Sequence, residues 1–232
     1  YSFQTETIVT LPNMNFDTWT QSGKTWYPNP VANNYDDPQA YWATGNQGVT
    51  SVGNRDSNVM PVEGTDAYKG KAVKMQTIEP MTLVGAAAGN IFIGKYKTNV
   101  GNPASSPSFG RPYSGARPTK LSGYYKYKPM PISNDGTVPG NLKTDQCHIY
   151  FKLWNASGQE IAYGEFVGSE TVTAYTKFEF DIEYSDTESK PATITIVATS
   201  SKYGGEFNGL KVVGQVGSGS TLWVDEFELG YE

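Results

Sequence analysis

Two acids stand inside aromatic-rich segments at opposite ends of the chain. Asp17 lies in Asn13-Met14-Asn15-Phe16-Asp17-Thr18-Trp19, and Asp225 lies in the stretch from Ser220 to Leu229. In β-sandwich modules the first and last strands often run side by side, an arrangement that would bring the two carboxylates together. Carboxylates held close repel, so one takes up a proton or a cation settles between them. Calcium suits the place because it takes roughly 6–8 oxygens and mixes carboxylates with backbone carbonyls, which a turn near Gly70 and Lys71 would supply. The sequence thus predicts a structural calcium ion held by Asp17 and Asp225. The alternatives are solvated acids at strand ends, or acids that accept backbone N–H bonds.

Other chemistries are poorly served. The lone His148 makes neither a zinc site of the usual kind nor a Ser-His-Asp triad. Cys147 has no partner for a disulfide, and its alternation with Ile149, Phe151 and Leu153 marks it as a small core side chain, with His148 on the opposite face. A net charge of −5 with scattered Lys and Arg, densest over Lys120 to Lys128, argues against nucleic acid, which needs a clustered positive field. No run approaches the roughly 20 apolar residues of a membrane span. The chain opens on Tyr1, so a cleaved signal or another upstream segment is expected.

The elements that must position these residues follow from period-two alternation, which recurs while helical periodicity does not. Residues 121–128, 146–154, 160–168, 176–184, 192–201 and 221–231 read as strands, with shorter ones at 71–77 and 90–96. The pattern predicts an all-β, antiparallel protein with a few further strands in the irregular first half. A length of 232 residues is compatible with one sandwich domain covering 1–232. Phe178, Phe180, Ile182 and Tyr184 share one face, with Lys177, Glu179, Asp181 and Glu183 on the solvated other. The non-core face of the His148, Tyr150, Lys152, Trp154 strand still carries two large aromatics and is expected to line a groove. In the last strand the apolar phase slips by one residue at Asp225-Glu226, the signature of a β-bulge. Loops over 20–70 and 99–119 are long and hold many aromatics, which points to binding.

Several blocks, taken in order, resemble the putative carbohydrate metabolism domain family of gut anaerobic bacteria. They are Asn15 to Trp19, Tyr41 to Asn46, Gly110 to Tyr113 with Arg117 to Pro129, Ile161 to Phe166, Ala198 to Gly204, and Leu222 to Leu229. The resemblance implies a two-sheet jelly roll similar to carbohydrate-binding modules, often preceded by an immunoglobulin-like domain. The resemblance leaves binder and enzyme open; the reading adopted from the residues is a non-catalytic module at the cell surface or in the periplasm that serves glycan utilisation, with a glycan ligand and surface-protein partners.

A sugar site needs flat aromatic faces for the ring and polar groups for its hydroxyls, because buried polar groups without partners cost about 1–3 kcal/mol each. The candidates within the blocks and loops are Trp26, Tyr41, Trp42, Asn46, Arg111, Arg117, Tyr163, Glu165, Lys202 and Tyr203, expected around one concavity. Five of them have a plainer use: Trp42 as core, Arg111 and Arg117 as pins for the long loop, Lys202 and Tyr203 with Gly204 as a strand end and turn. The enzyme alternative is a glycoside hydrolase, which sets two carboxylates about 5–5.5 Å or about 6.5–9.5 Å apart. Glu165 is its candidate acid, with Glu206 or Asp225 as partner. A protein-binding surface module is the third reading.

Overall fold

An extended chain sends successive side chains to opposite faces, so an apolar–polar repeat of two buries one face of a sheet. The computed structural model, which describes residues 6–32 and 34–231, arranges these strands in two large antiparallel sheets. In chain order they are β1 (Trp42–Thr44), β2 (Val59–Glu63), β3 (Lys71–Gln76), β4 (Asn90–Tyr96), β5 (Lys120–Lys128) and β6 (Cys147–Asn155). There follow β7 (Glu160–Gly168), β8 (Val172–Asp181), β9 (Glu183–Tyr184), β10 (Pro191–Thr199) and β11 (Thr221–Gly230). The first sheet runs β9-β7-β6-β10-β4-β1, extended by Pro107–Phe109 beside β4 and Arg111–Pro112 beside β10. The second runs β8-β5-β11-β3-β2. The architecture is the two-sheet antiparallel jelly-roll sandwich that the alternation and the resemblance imply.

The core lies between the sheets. Ile149, Phe151 and Leu153 of β6 and Ile194 and Ile196 of β10 share it with Leu121 and Tyr127 of β5 and Leu222 and Val224 of β11, none of them exposed. Each such aliphatic or phenyl side chain contributes roughly 1.5–3 kcal/mol relative to exposure, so the alternation is enforced strand by strand. Cys147 joins them, and burial pushes its thiol up to about 12, leaving an inert apolar group.

Three local features differ from, or add to, the sequence reading. The segment read as one strand over 176–184 is two: β8 pairs with β5, while β9 pairs with β7 in the other sheet. Its apolar phase runs on because Ile182, whose N–H donates to the Thr119 carbonyl (2.8 Å), stays inward as the chain crosses between sheets. The slip in β11 is a bulge: Ser122 opposes Glu228 and Tyr124 opposes Asp225, with Glu226 in the left-handed region at φ 48°. Gly123 sits opposite it, where a Cβ would collide with the Phe227 and Phe178 rings.

The N-terminal aromatic segment is not a strand beside β11 but a turn docked on it. Asn13 and Phe16 adopt φ of 52° and 55°, conformations that non-glycine residues hold only when packing compensates. Here it does. Phe16 is fully buried, edge-on to Trp42 (5.1 Å) and Phe227 (5.0 Å), and the Phe227 N–H donates to the Met14 carbonyl at 2.9 Å. Among the described residues no helix is long and apolar enough to cross a membrane.

Candidate functional site

The outer face of the first sheet carries the candidate site. Strand pairing aligns one row of outward residues across it: Glu165 on β7, Tyr150 on β6, Val197 on β10, Phe92 on β4 and Ala43 on β1. With strands about 4.8 Å apart, the row is about 19 Å long. Beside it run Val167, His148, Thr199 and Asn90, and, on the other flank, Tyr163, Lys152 and Thr195. An antiparallel sheet that faces water should read polar here, yet this face is rich in rings. His148 and Tyr150 lie 4.8 Å apart, Tyr150 and Tyr163 6.5 Å, and Phe92 and Phe109 4.9 Å.

Four pieces without strand periodicity wall the face into a groove of ≈ 660 Å³, a size common for small-ligand sites. They are the short helix Asn46–Ser51, the hairpin of Ile78–Met81 and Gly85–Ala87, the loop over 98–107, and the turn over 202–207.

The polar end is tightly coupled. His148 Nε2 lies 2.7 Å from Glu165 Oε2, and Lys202 Nζ lies 3.5 Å from the same oxygen. Burial, reinforced by the Lys202 charge, holds the His148 pKa below its ordinary value despite Glu165. A neutral imidazole meets a carboxylate only by donating, so Nε2 carries the proton. Burial alone would raise Glu165, but Tyr163, Lys202 and His148 outweigh it and keep the carboxyl below its usual range. Lys152 Nζ pairs with Glu160 Oε2 at 2.7 Å and stands 5.2 Å over the Tyr163 ring. Asn90 Oδ1 is buried in the groove wall with no hydrogen-bond partner among the described residues.

A match to the family described as Putative carbohydrate metabolism domain spans residues 15–230, nearly the whole chain. The chain belongs to this family. A search of curated proteins found no match. Among solved structures, a putative glycoside hydrolase from Bacteroides thetaiotaomicron is similar at TM-score 0.75 and 24% identity, over 94% of this chain and 70% of that one. A second, from Bacteroides vulgatus, is similar at TM-score 0.74 and 23% identity, over 98% of this chain and 100% of that one. At such identity the likeness is one of fold.

In this member of the family the blocks divide between site and scaffold. Tyr163, Lys202 and Tyr203 line the groove, and Glu165 binds two of its lining side chains. The others are elsewhere, so the single constellation expected from sequence does not form. Trp42 has no exposure, packs on Phe16 in the core, and its indole N–H donates to the Pro12 carbonyl (2.8 Å). Tyr41 is buried beside it. Asn46 is a staple: its amide donates to the Trp26 and Val59 carbonyls, both at 2.8 Å, and accepts the Val59 N–H. Trp26 sits in a two-stranded ribbon, Thr20–Ser22 with Thr25–Tyr27, away from the groove. Arg111 is buried and donates to the carbonyls of Tyr35 (2.8 Å) and Asp37 (3.4 Å), pinning the first long loop. Arg117 pairs with Glu6 and donates to the Ser189 carbonyl at 2.9 Å.

Asp17 and Asp225 do converge, on the turn that precedes β3. Asp225, with no exposure, accepts the N–H groups of Tyr68 (3.1 Å) and Lys69 (2.9 Å) on Oδ2 and that of Glu226 (2.8 Å) on Oδ1. Asp17 Oδ1 accepts the Lys71 N–H at 2.7 Å, and Oδ2 accepts the Asn15 amide at 2.7 Å. Between them Gly70 takes φ 56°, and a Cβ there would strike the Asp17 carboxylate. Both acids thus face N–H donors rather than the carbonyls a calcium ion would share, and among the described residues no group of three or more His, Cys, Asp or Glu could hold a metal.

Sequence reasoning placed Tyr150, His148 and Lys152 on a groove but missed Asn90, Phe92, Tyr96 and Phe109. The available signal was Phe92 and Tyr96 on the outward phase of β4, the strand read at 90–96, whose core phase is Ile91 and Ile93.

Proposed function

We propose that this chain is a non-catalytic carbohydrate-binding module serving glycan utilisation, with the groove on the first sheet as its glycan site. The observation that carries the reading is the half-buried pair Tyr150 and Tyr163 on the groove floor beside His148, Glu165 and Lys202, with Asn90 Oδ1 unpartnered in the wall. Sugar rings pack their C–H faces on aromatic rings, and their hydroxyls need both acceptors and donors. Tyr150 and Tyr163 supply the faces; Glu165, Lys202 and the unpartnered Asn90 oxygen supply the rest.

Binding without turnover is favoured by the state of the carboxylates. A glycosidase needs a general acid with a raised pKa, whereas Glu165 is held down by its neighbours. Glu165 and Glu160 on β7 are each already ion-paired, and Asp225 is sealed in the β11 bulge of the other sheet, which leaves Glu206, in the groove wall, as the partner a hydrolase would have to use. The test is a glycan array read beside a hydrolysis assay on the same sugars. Binding without product supports the module; product from a bound sugar overturns it, and silence in both shifts the reading to a protein partner.

A further inference from the structure

The groove changes character along its length. From β7 and β6 come Glu165, His148 and Lys152; beyond β10 the wall is mainly carbon, and the polar Thr98, Asn99 and Ser106 there already bond their own neighbours. Val49 and Val52 on one side of the short helix, Met81 from the hairpin, Val100 from the following loop, and Phe92 with Phe109 make that end. Val52, Val100 and Phe109 are 39%, 52% and 46% exposed, so large apolar surface stands in water around one cavity. Scattered exposed hydrophobics are ordinary, but a cluster around a concavity marks a ligand surface. Val, Met and Phe offer no partner to a hydroxyl, and a hydroxyl moved from water against them loses its hydrogen bonds without replacement. A bare saccharide therefore matches only the polar end.

We infer that the groove takes a glycan carrying an apolar substituent, an acyl or alkyl group, with the sugar at the Glu165–Tyr150 end and the substituent against Val52, Met81 and Val100. Asn90 Oδ1, buried without a partner on β4, stands at the junction and accepts a hydroxyl next to the linkage. The inference rests on the reading of the groove as a glycan site, and the following experiment separates the two.

The full chain is titrated calorimetrically with methyl, butyl and octyl β-D-glucopyranoside, with 6-O-octanoylglucose, and with 1-octanol, all below micelle concentrations. Affinity should rise about fourfold for each methylene that enters the groove, the factor given by about 0.8 kcal/mol per buried CH₂. A preference for octyl glucoside indicates an aglycone, and one for the octanoyl ester an acylated sugar; both support the inference. Val52→Asp with Val100→Asp should erase the dependence on chain length, and a melting curve verifies that the variant is folded. Equal affinity for methyl and octyl glucoside overturns the inference and leaves the glycan reading standing. Octanol binding as tightly as octyl glucoside overturns both, because the sugar then contributes nothing. No binding by any octyl probe also overturns the inference, since the apolar wall should hold the chain whatever sugar is attached.

Discussion

Two carboxylates on different sheets of the same sandwich have opposite surroundings. Asp225 is sealed in the β11 bulge and, among the described residues, is hydrogen-bonded by the backbone N–H groups of Tyr68, Lys69 and Glu226 and by no side chain. Glu165, with a side chain 40% exposed, is met by the side chains of His148 and Lys202 at a groove. Backbone donors cannot be redirected without moving the chain, so the first arrangement locks a turn. Side-chain donors can turn towards a newcomer, so the second leaves capacity for a ligand. The pKa directions follow the same division: burial raises Asp225 to about 6, while Glu165 is held below the ordinary range once Tyr163, Lys202 and His148 offset its burial.

The largest expected effect breaks the lock. Asp225→Ala leaves three N–H groups without an acceptor, and with about 1–3 kcal/mol for each one that stays buried, a loss of roughly 3 kcal/mol is expected. For a chain of this size that lowers the melting temperature by about 6–12 °C. Thermal unfolding followed by circular dichroism measures it, and a shift under about 2 °C would show that the turn stands without Asp225. A substitution of the groove carboxylate should behave otherwise. Glu165→Gln keeps the shape and one acceptor, so the melting temperature should move little, while glycan affinity falls about three- to tenfold; in a hydrolase the same change would abolish turnover. Tyr163→Ala should cost a further comparable factor, roughly 1 kcal/mol of ring contact.

The fold was more legible than the site, for a physical reason. Strands such as Cys147–Asn155 are long enough for alternation to declare their faces, and the β11 slip at Asp225-Glu226 announced its bulge. Trp42–Thr44 is only three residues, too short for a phase, so a core tryptophan looked like a loop aromatic. Arg111 was ambiguous because a guanidinium suits carbonyls of its own chain as well as sugar hydroxyls. The groove's far walls come from a helix, a hairpin and a loop brought together only by the tertiary fold, and no spacing along the chain encodes that meeting.

The opposite pKa shifts sharpen the comparison further through pH. A carboxyl raised on folding adds stability that is full below its unfolded value, near pH 4, and is lost as pH rises through its folded value. For Asp225 that window runs from about pH 4 to just above 6. The stability of the wild type relative to Asp225→Asn should therefore decline across it. A carboxyl lowered on folding works in reverse: the stability of the wild type relative to Glu165→Gln should be steady above about pH 5 and fade as pH drops below about 4. Denaturant unfolding of the three proteins at several pH values reads both slopes, and two slopes of the same sign would refute the contrast.

The smallest expected effect concerns Asp17, the exposed partner in the lock. Its Oδ1 accepts one N–H, from Lys71, and the Asn15 amide holds its other oxygen. Asp17→Asn keeps an acceptor in place, so the cost should stay within about 1 kcal/mol, or about 2–4 °C in melting temperature. The same measurement decides whether calcium takes part. An ion bound only to the folded state raises stability by RT ln(1 + [L]/Kd), about 2.7 kcal/mol at a hundredfold excess over Kd. With the turn already held by N–H donors, melting in chelator and in millimolar calcium should coincide for the wild type and for Asp17→Asn. If calcium instead raises the wild-type midpoint and Asp17→Asn abolishes the rise, the carboxylates share a cation, and the turn must swing its carbonyls inward to complete the site. In that event the lock and the groove would differ by the ion one of them holds, and not by the donors they face.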